Sequence, residues 1–281
     1  MRLVSIAGRI HALDASRERA LDLAAATGLP AGACKFLEAG GLAAAADVVG
    51  AGVRGGVDLA AVRLDPIPPK PRVVWGIGVN YRGHAREMGR EPPPVPTVFV
   101  KSPGALIAHE EPIVVPPNVT QPDYEGEVAV VIGRRARDVS EDAALDYVAG
   151  VTCAHDVSAR DHQYVTGQWS WSKSFDTFCP LGPVLVTVDE VDVGNLPIET
   201  RVSGEVLQCS NTSELIFSIP RLVAELSAGV TLEPGDVILT GTPAGVGHGR
   251  TPRRYLQDGD VVEITVGGVG TLRNAVIRRP S

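Results

Sequence analysis

From residue 73 onward, short β-branched runs alternate with turns. The apolar runs fall at residues 73–77, 98–100, 128–132, 184–188, 237–240 and 261–266, set off by Pro and Gly turns and not by regularly repeated helices. That rhythm predicts a mixed or largely antiparallel sheet and an α+β, mainly β fold, not a doubly wound one. Two helices stand out. Ser140 is placed to cap a helix running to Val148 and stopped by Gly150, and Ser218, with Pro220 in the first turn, opens one that ends at Gly229. Before residue 65 the chain is rich in Ala and Gly, with helical stretches expected at residues 17–26 and 41–49. The run Asp65-Pro66-Ile67-Pro68-Pro69-Lys70-Pro71 lacks several N–H donors and cannot continue a helix, so it reads as a linker. The expected organisation is a small N-terminal domain, residues 1–68, followed by a main domain, residues 69–281.

Composition narrows the function. The 281 residues are 44% hydrophobic and 21% charged, enough for one large core with a smaller appendage. A formal charge of −7 and no dense Lys/Arg run argue against nucleic acid as a partner. Cys34, Cys153, Cys179 and Cys209 are far apart, with no C-x-x-C, so neither a thiolate zinc site nor a disulfide framework is indicated. No apolar run approaches the roughly 20 residues of a membrane span, and no secretory leader opens the chain. A cytoplasmic setting without a membrane partner is expected.

Chemistry concentrates in a few segments. In Asp123-Tyr124-Glu125-Gly126-Glu127, running into residues 128–132, Glu125 and Glu127 are two apart on a strand and share a face. Buried ionised carboxylates need a cation or a metal. Taken alone, the segment also reads as a frayed strand end whose acids pair with Arg134 or Arg135. His84 and Glu87 are three apart and share a face if their segment is helical, the arrangement of an imidazole oriented by a carboxylate. His155-Asp156-Val157-Ser158-Ala159-Arg160-Asp161 crowds charge behind an apolar run, which a helix start capped by Asp156 or Ser158 would also explain. Lys173 lies among aromatic residues, where a snorkelling lysine is the default. Gly76-Ile77-Gly78 lacks the third glycine of a dinucleotide fingerprint, and residues 241–247 lack the Gly-Lys-Ser/Thr ending of a phosphate loop, leaving a turn near a small ligand.

Together these segments resemble the fumarylacetoacetate hydrolase family across residues 73–276. Five blocks occur in the family order: Gly78-Val79-Asn80-Tyr81-Arg82-Gly83-His84; Asp123-Tyr124-Glu125-Gly126-Glu127; His155-Asp156-Val157-Ser158-Ala159-Arg160-Asp161; Lys173-Ser174-Phe175-Asp176-Thr177; and Pro234-Gly235-Asp236 followed by Gly241-Thr242-Pro243. The resemblance implies a mixed β-sandwich roll with a small appended N-terminal domain. It makes Glu125, Glu127 and Asp156 the ligands of one Mg²⁺ or Mn²⁺, a choice that agrees with the preference of those ions for hard oxygen donors. It places Arg160, Gln163 and Thr242 in the substrate pocket, and makes His84 and Glu87 the base and its orienting acid on a lid. Lys173 would offset negative charge as it grows. His155 departs from the pattern, since many relatives carry Asn there, and the first 65 residues have no match in it.

The implied activity is hydrolysis of a C–C bond in an acylpyruvate or related 2,4-diketo acid, through an enolate that the metal stabilises. The same enolate serves a decarboxylase, an isomerase or a ureidoglycolate-type lyase acting on a 2-oxo acid, and the motifs do not choose among them. A catalytically silent binding protein on the same fold is the reading from another class; retention of three clustered acids speaks against it. Relatives commonly pair, so a homodimer is expected. Trp169 and Trp171 hint at an apolar substrate tail, with core packing the expected use of at least one.

Overall fold

The computed structural model describes residues 1–52, 55–165 and 167–280. Two sheets carry the fold. Among the described residues the larger runs in the order Val57–Asp58, Arg19–Asp22, Arg9–Leu13, Arg2–Ile6, Cys179–Thr187, Val148–His155, Gly126–Ile132, Val237–Leu239, Val74–Gly78, Thr97–Lys101. Neighbours along it are antiparallel except Val237–Leu239 beside Val74–Gly78. The smaller sheet runs Glu205–Asn211, Pro197–Val202, Val261–Val266, Gly270–Arg278, Ile113–Val115. The mixed, mainly β architecture expected from the turn-punctuated pattern is what the chain adopts.

The strand Gly126–Ile132 shows how the layers are built. Every residue in it is buried, so its sequence shows no apolar–polar alternation. Its even positions, Val128, Val130 and Ile132, join Ile198, Val262 and Ile264 of the second sheet in the main core. Its odd positions, Ala129 and Val131, face a second core with Leu23, Phe36 and Leu37. The first 65 residues therefore do two things. They extend the main sheet, Arg2–Ile6 pairing with Cys179–Thr187, and their short helices cover the sheet face that the second sheet leaves open.

Two local expectations are corrected. Residues 17–26 are not one helix: Arg19–Asp22 is a strand on Arg9–Leu13, and only Leu23–Thr27 is helical, capped by Asp22 and ended by Gly28 at φ +74°. Strand pairing overrides the helix propensity of an Ala-rich stretch there. After Ser140 comes a 3₁₀ segment, Glu141–Tyr147, without a side-chain cap, and Gly150 lies inside the strand Val148–His155. A Cβ at Gly150 would meet the carbonyl oxygen of Val186 at 2.3 Å, so this glycine permits close strand approach and does not stop a helix. The helix Ile219–Gly229 forms as expected, with Ser218 Oγ accepting from the Arg221 N–H.

Candidate active site and metal centre

The strands Gly126–Ile132 and Val148–His155 pair so that Gly126 lies opposite His155. Glu125 just precedes the first strand and Asp156 just follows the second, so pairing brings them to one end, where the Asp156 N–H donates to the Glu125 carbonyl at 2.9 Å. Glu127 projects from the strand itself. One oxygen from each of the three carboxylates lies within 4.8 Å of the others, and all three side chains are buried.

Three buried cations surround them. Lys101, at the end of the strand Thr97–Lys101 and fully buried, bonds Asp156 Oδ1 at 2.5 Å. Lys173 directs its three N–H groups to Glu125 Oε2 at 2.8 Å, Asp156 Oδ2 and Ser158 Oγ. Arg160 opens the short helix Arg160–Gln163, bonding Asp123 Oδ2 at 2.8 Å, Glu125 Oε1 and Gln163 Oε1. Lys173 is thus no snorkelling lysine. Asp156 caps no helix. Arg134 and Arg135 lie elsewhere, against Tyr147 and Glu233.

The pairing leaves one acid over. Lys101, Arg160 and Lys173 serve Asp123, Glu125 and Asp156, while among the described residues Glu127 receives only the Gly241 N–H, at 2.7 Å. Burial opposes ionisation of Glu125, but Lys173 and Arg160 outweigh it and hold that carboxyl well below the usual carboxylate range. Burial, then the charges of Asp156 and Glu125, push Glu127 well above it. A buried carboxylate without a cation beside two others is a site that fits a divalent ion bound through oxygen. Nearby Cys179 offers no competing thiolate, because burial pushes its thiol up to about 12. The clustered acids can hold a metal.

The unpaired Glu127 has a consequence for stability. Because its value is raised in the folded state, the carboxyl favours folding while protonated, and that advantage fades as pH rises above the ordinary glutamate value of about 4.3. In chelator, wild type and Glu127→Gln should therefore melt together near pH 4 and diverge at higher pH, the variant becoming the more stable. A wild type that melts higher than the variant at pH 8 in chelator would contradict the assignment of Glu127 as the uncompensated acid.

Beside the acids stands the helix Arg82–Glu87, on which His84 and Glu87 share a face. His84 is buried, its Nδ1 3.1 Å from Glu87 Oε2, and its Nε2 has no hydrogen-bond partner among the described residues. Glu87 is itself fixed, Oε1 accepting from the Gly245 N–H at 2.8 Å. The turn entering this helix is strained: Val79 has φ +55°, rare for a β-branched residue. Asn80 locks it by donating to Thr240 and Phe217 carbonyls and accepting from the Phe217 N–H. The glycine-rich segment after Thr240 supplies N–H groups: Gly241 to Glu127, Gly245 to Glu87, and Gly247 to Asp123 at 2.7 Å.

These parts line one cavity, which brings together His84, Glu125, Glu127, Asp156, Arg160, Gln163, Lys173 and Thr242. Glu87 stands behind His84. The Thr242 hydroxyl is engaged within the protein, donating to the Gly126 carbonyl and accepting from Gln208 Nε2. Neither tryptophan is a core residue: Trp169 forms part of the cavity wall and Trp171 is 64% exposed. Sequence reasoning missed Lys101, Asp123 and Gln208. Asp123 lay within a quoted motif, but a lysine ending an apolar strand and a glutamine in a hairpin carry no local mark of burial against an acid.

Residues 73–277 match the model of the fumarylacetoacetate (FAA) hydrolase C-terminal family, and the chain belongs to that family. It is 47% identical over 223 residues to the oxaloacetate tautomerase YisK of Bacillus subtilis, covering 78% of this chain and 74% of that one. Among solved structures, 5-carboxymethyl-2-hydroxymuconate delta-isomerase from Mycobacterium smegmatis superimposes with a TM-score of 0.80 at 38% identity, over the whole of both chains. Maleylpyruvate hydrolase from Sphingobium sp. SYK-6, in complex with manganese(II) and pyruvate, gives a TM-score of 0.82 at 30% identity, again over both whole chains. No described helix is long and apolar enough to cross a membrane.

Proposed function

We propose that this protein is a divalent-metal-dependent tautomerase or isomerase of a small 2-oxo acid, moving a proton between the carbon next to the ketone and the ketone oxygen. This replaces C–C bond hydrolysis as the preferred reading, because relatives similar over most of this chain are named tautomerase and isomerase. The observation that carries it is the oriented imidazole beside the acidic cluster: His84, held through Nδ1 by Glu87, keeps Nε2 for the ligand. Proton relocation needs one such base and no bound water.

Glu125, Glu127 and Asp156 would hold the metal, Mg²⁺ or Mn²⁺ by donor chemistry. When bound, it supplies polarisation of the ketone oxygen and so acidifies the adjacent C–H. In the keto-to-enol direction His84 Nε2 takes the proton from carbon and passes it to the ketone oxygen, and in the reverse direction it takes the O–H proton and returns it to carbon. Glu87 keeps the imidazole in the tautomer with its proton on Nδ1. Arg160 donates to the Gln163 oxygen and so fixes this cavity-lining amide, whose N–H groups would be the donors left for a ligand. Lys173, with all three N–H groups engaged, holds Glu125 and Asp156 in place.

The test is one NMR series with Mn²⁺-free, Mg²⁺-loaded protein, following enol and keto oxaloacetate in one tube and an acylpyruvate in another. Acceleration of enol–keto exchange without cleavage or carbon dioxide release is expected. Cleavage of the acylpyruvate with no effect on exchange would restore the hydrolase.

A further inference from the structure

The cavity has a second cationic end. Two aromatic rings form one wall, Phe99 and Trp169, meeting edge to face with centroids 5.9 Å apart. The Lys173 ammonium lies over Phe99 at 5.0 Å from its centroid, at the acidic cluster. At the other end the Arg90 guanidinium lies 5.9 Å from the Trp169 centroid, in an exposed residue just beyond the His84 helix. The two ends differ in their charge balance. Lys173 and Arg160 are committed to Glu125, Asp123 and Asp156, whereas Arg90 has no carboxylate partner among the described residues although it lines the cavity. The platform beneath it is fixed: Trp169 packs directly on Gly78, where a Cβ would meet the indole at 2.2 Å.

We infer that Arg90, laid across Trp169, is the specificity residue that receives the distal carboxylate of a dicarboxylic 2-oxo acid whose oxo end lies at the acidic cluster. The inference rests on the 2-oxo acid reading above and adds how the far end of the substrate is recognised. A guanidinium over an indole face keeps N–H groups available for a planar carboxylate, which an ammonium does not match. It has no acid of its own to displace, so a ligand carboxylate meets an available partner. A substrate without the second carboxylate leaves Arg90 in water, as it is in the free protein, and loses only that contact.

The experiment compares wild type, Arg90→Met and Arg90→Lys, all Mg²⁺-loaded, by calorimetric binding of oxaloacetate and of 2-oxobutanoate, its monocarboxylate counterpart. Arg90→Met keeps an apolar stem over Trp169 and alters an exposed position, so a folded protein is expected, with melting temperature as the check. Wild type should prefer the diacid. Arg90→Met should weaken oxaloacetate about 10- to 100-fold, the range of a charge-assisted hydrogen bond, and leave 2-oxobutanoate within about twofold. Arg90→Lys should recover part of the loss. Equal weakening of both ligands, or of neither, overturns the role of Arg90 while leaving the 2-oxo acid reading intact. Failure of wild type to bind either ligand overturns both.

Discussion

Asp156→Ala should lose tight Mg²⁺ or Mn²⁺ binding and also destabilise the fold, by about 3–5 kcal/mol, the usual effect of removing one partner from a buried ion pair. The reason is its double load: Asp156 receives Lys101 at one oxygen and Lys173 at the other, and both lysines are buried. The three acids are not equivalent in this respect. The ion pairing separates them. Among the described residues Glu127 pairs with no cation, so Glu127→Gln should lose metal affinity to a similar extent, at least about the 100-fold that removal of an outer-shell partner can cause, without a loss of apo stability. Calorimetric titration with metal, paired with denaturant unfolding in chelator, checks both. Equal apo stabilities for the two variants would refute the uneven charge balance, and unchanged metal affinity in either would remove that residue from the ligand set.

His84→Ala should lower turnover by about 10²- to 10⁴-fold while metal affinity stays within experimental error, because a general base acts in the transition state and His84 bonds none of the three acids. Glu87→Gln should give a smaller loss. Its single amide oxygen can serve either His84 or the Gly245 N–H, which Glu87 now serves with separate oxygens. The readout is the rate of enol–keto exchange with and without each substitution at saturating metal. If His84→Ala exchanges as fast as wild type, the base lies elsewhere in the cavity and the proton-transfer assignment fails.

The N-terminal 65 residues mark one limit of local reading. Their Ala-rich stretches signal helix, yet Arg19–Asp22 joins a sheet because Arg9–Leu13 offers a pairing edge, and the helices that do form matter because they cover Ala129 and Val131. Ser140 and Gly150 mislead for a similar reason: a cap residue and a glycine have local meanings that a neighbouring strand can replace. Ser218 and Pro220 do not mislead, since a helix N-terminus is satisfied by atoms three residues away.

In the site, spacing put Glu125 and Glu127 on one face and His84 and Glu87 on another, and it was the resemblance of five blocks to one family that joined Asp156 to them as an expected hard-metal centre with a base nearby. Period-2 and i,i+3 geometry are local properties, and acids that must share a face declare themselves in the chain. Which cation neutralises which acid was decided only by the tertiary structure. Lys101 and Asp156 are 55 positions apart, Lys173 and Glu125 are 48 apart, and Coulomb energy depends on distance through space, not along the chain. The same holds for Arg90 and Trp169, 79 positions apart and brought together at the cavity mouth. The sequence by itself marked the apolar strands after residue 73 and the acids that share a face; the packing of the strands decided that, among the described residues, Glu127 is the clustered acid left without a cation, because pairing follows from where each ammonium and guanidinium can reach.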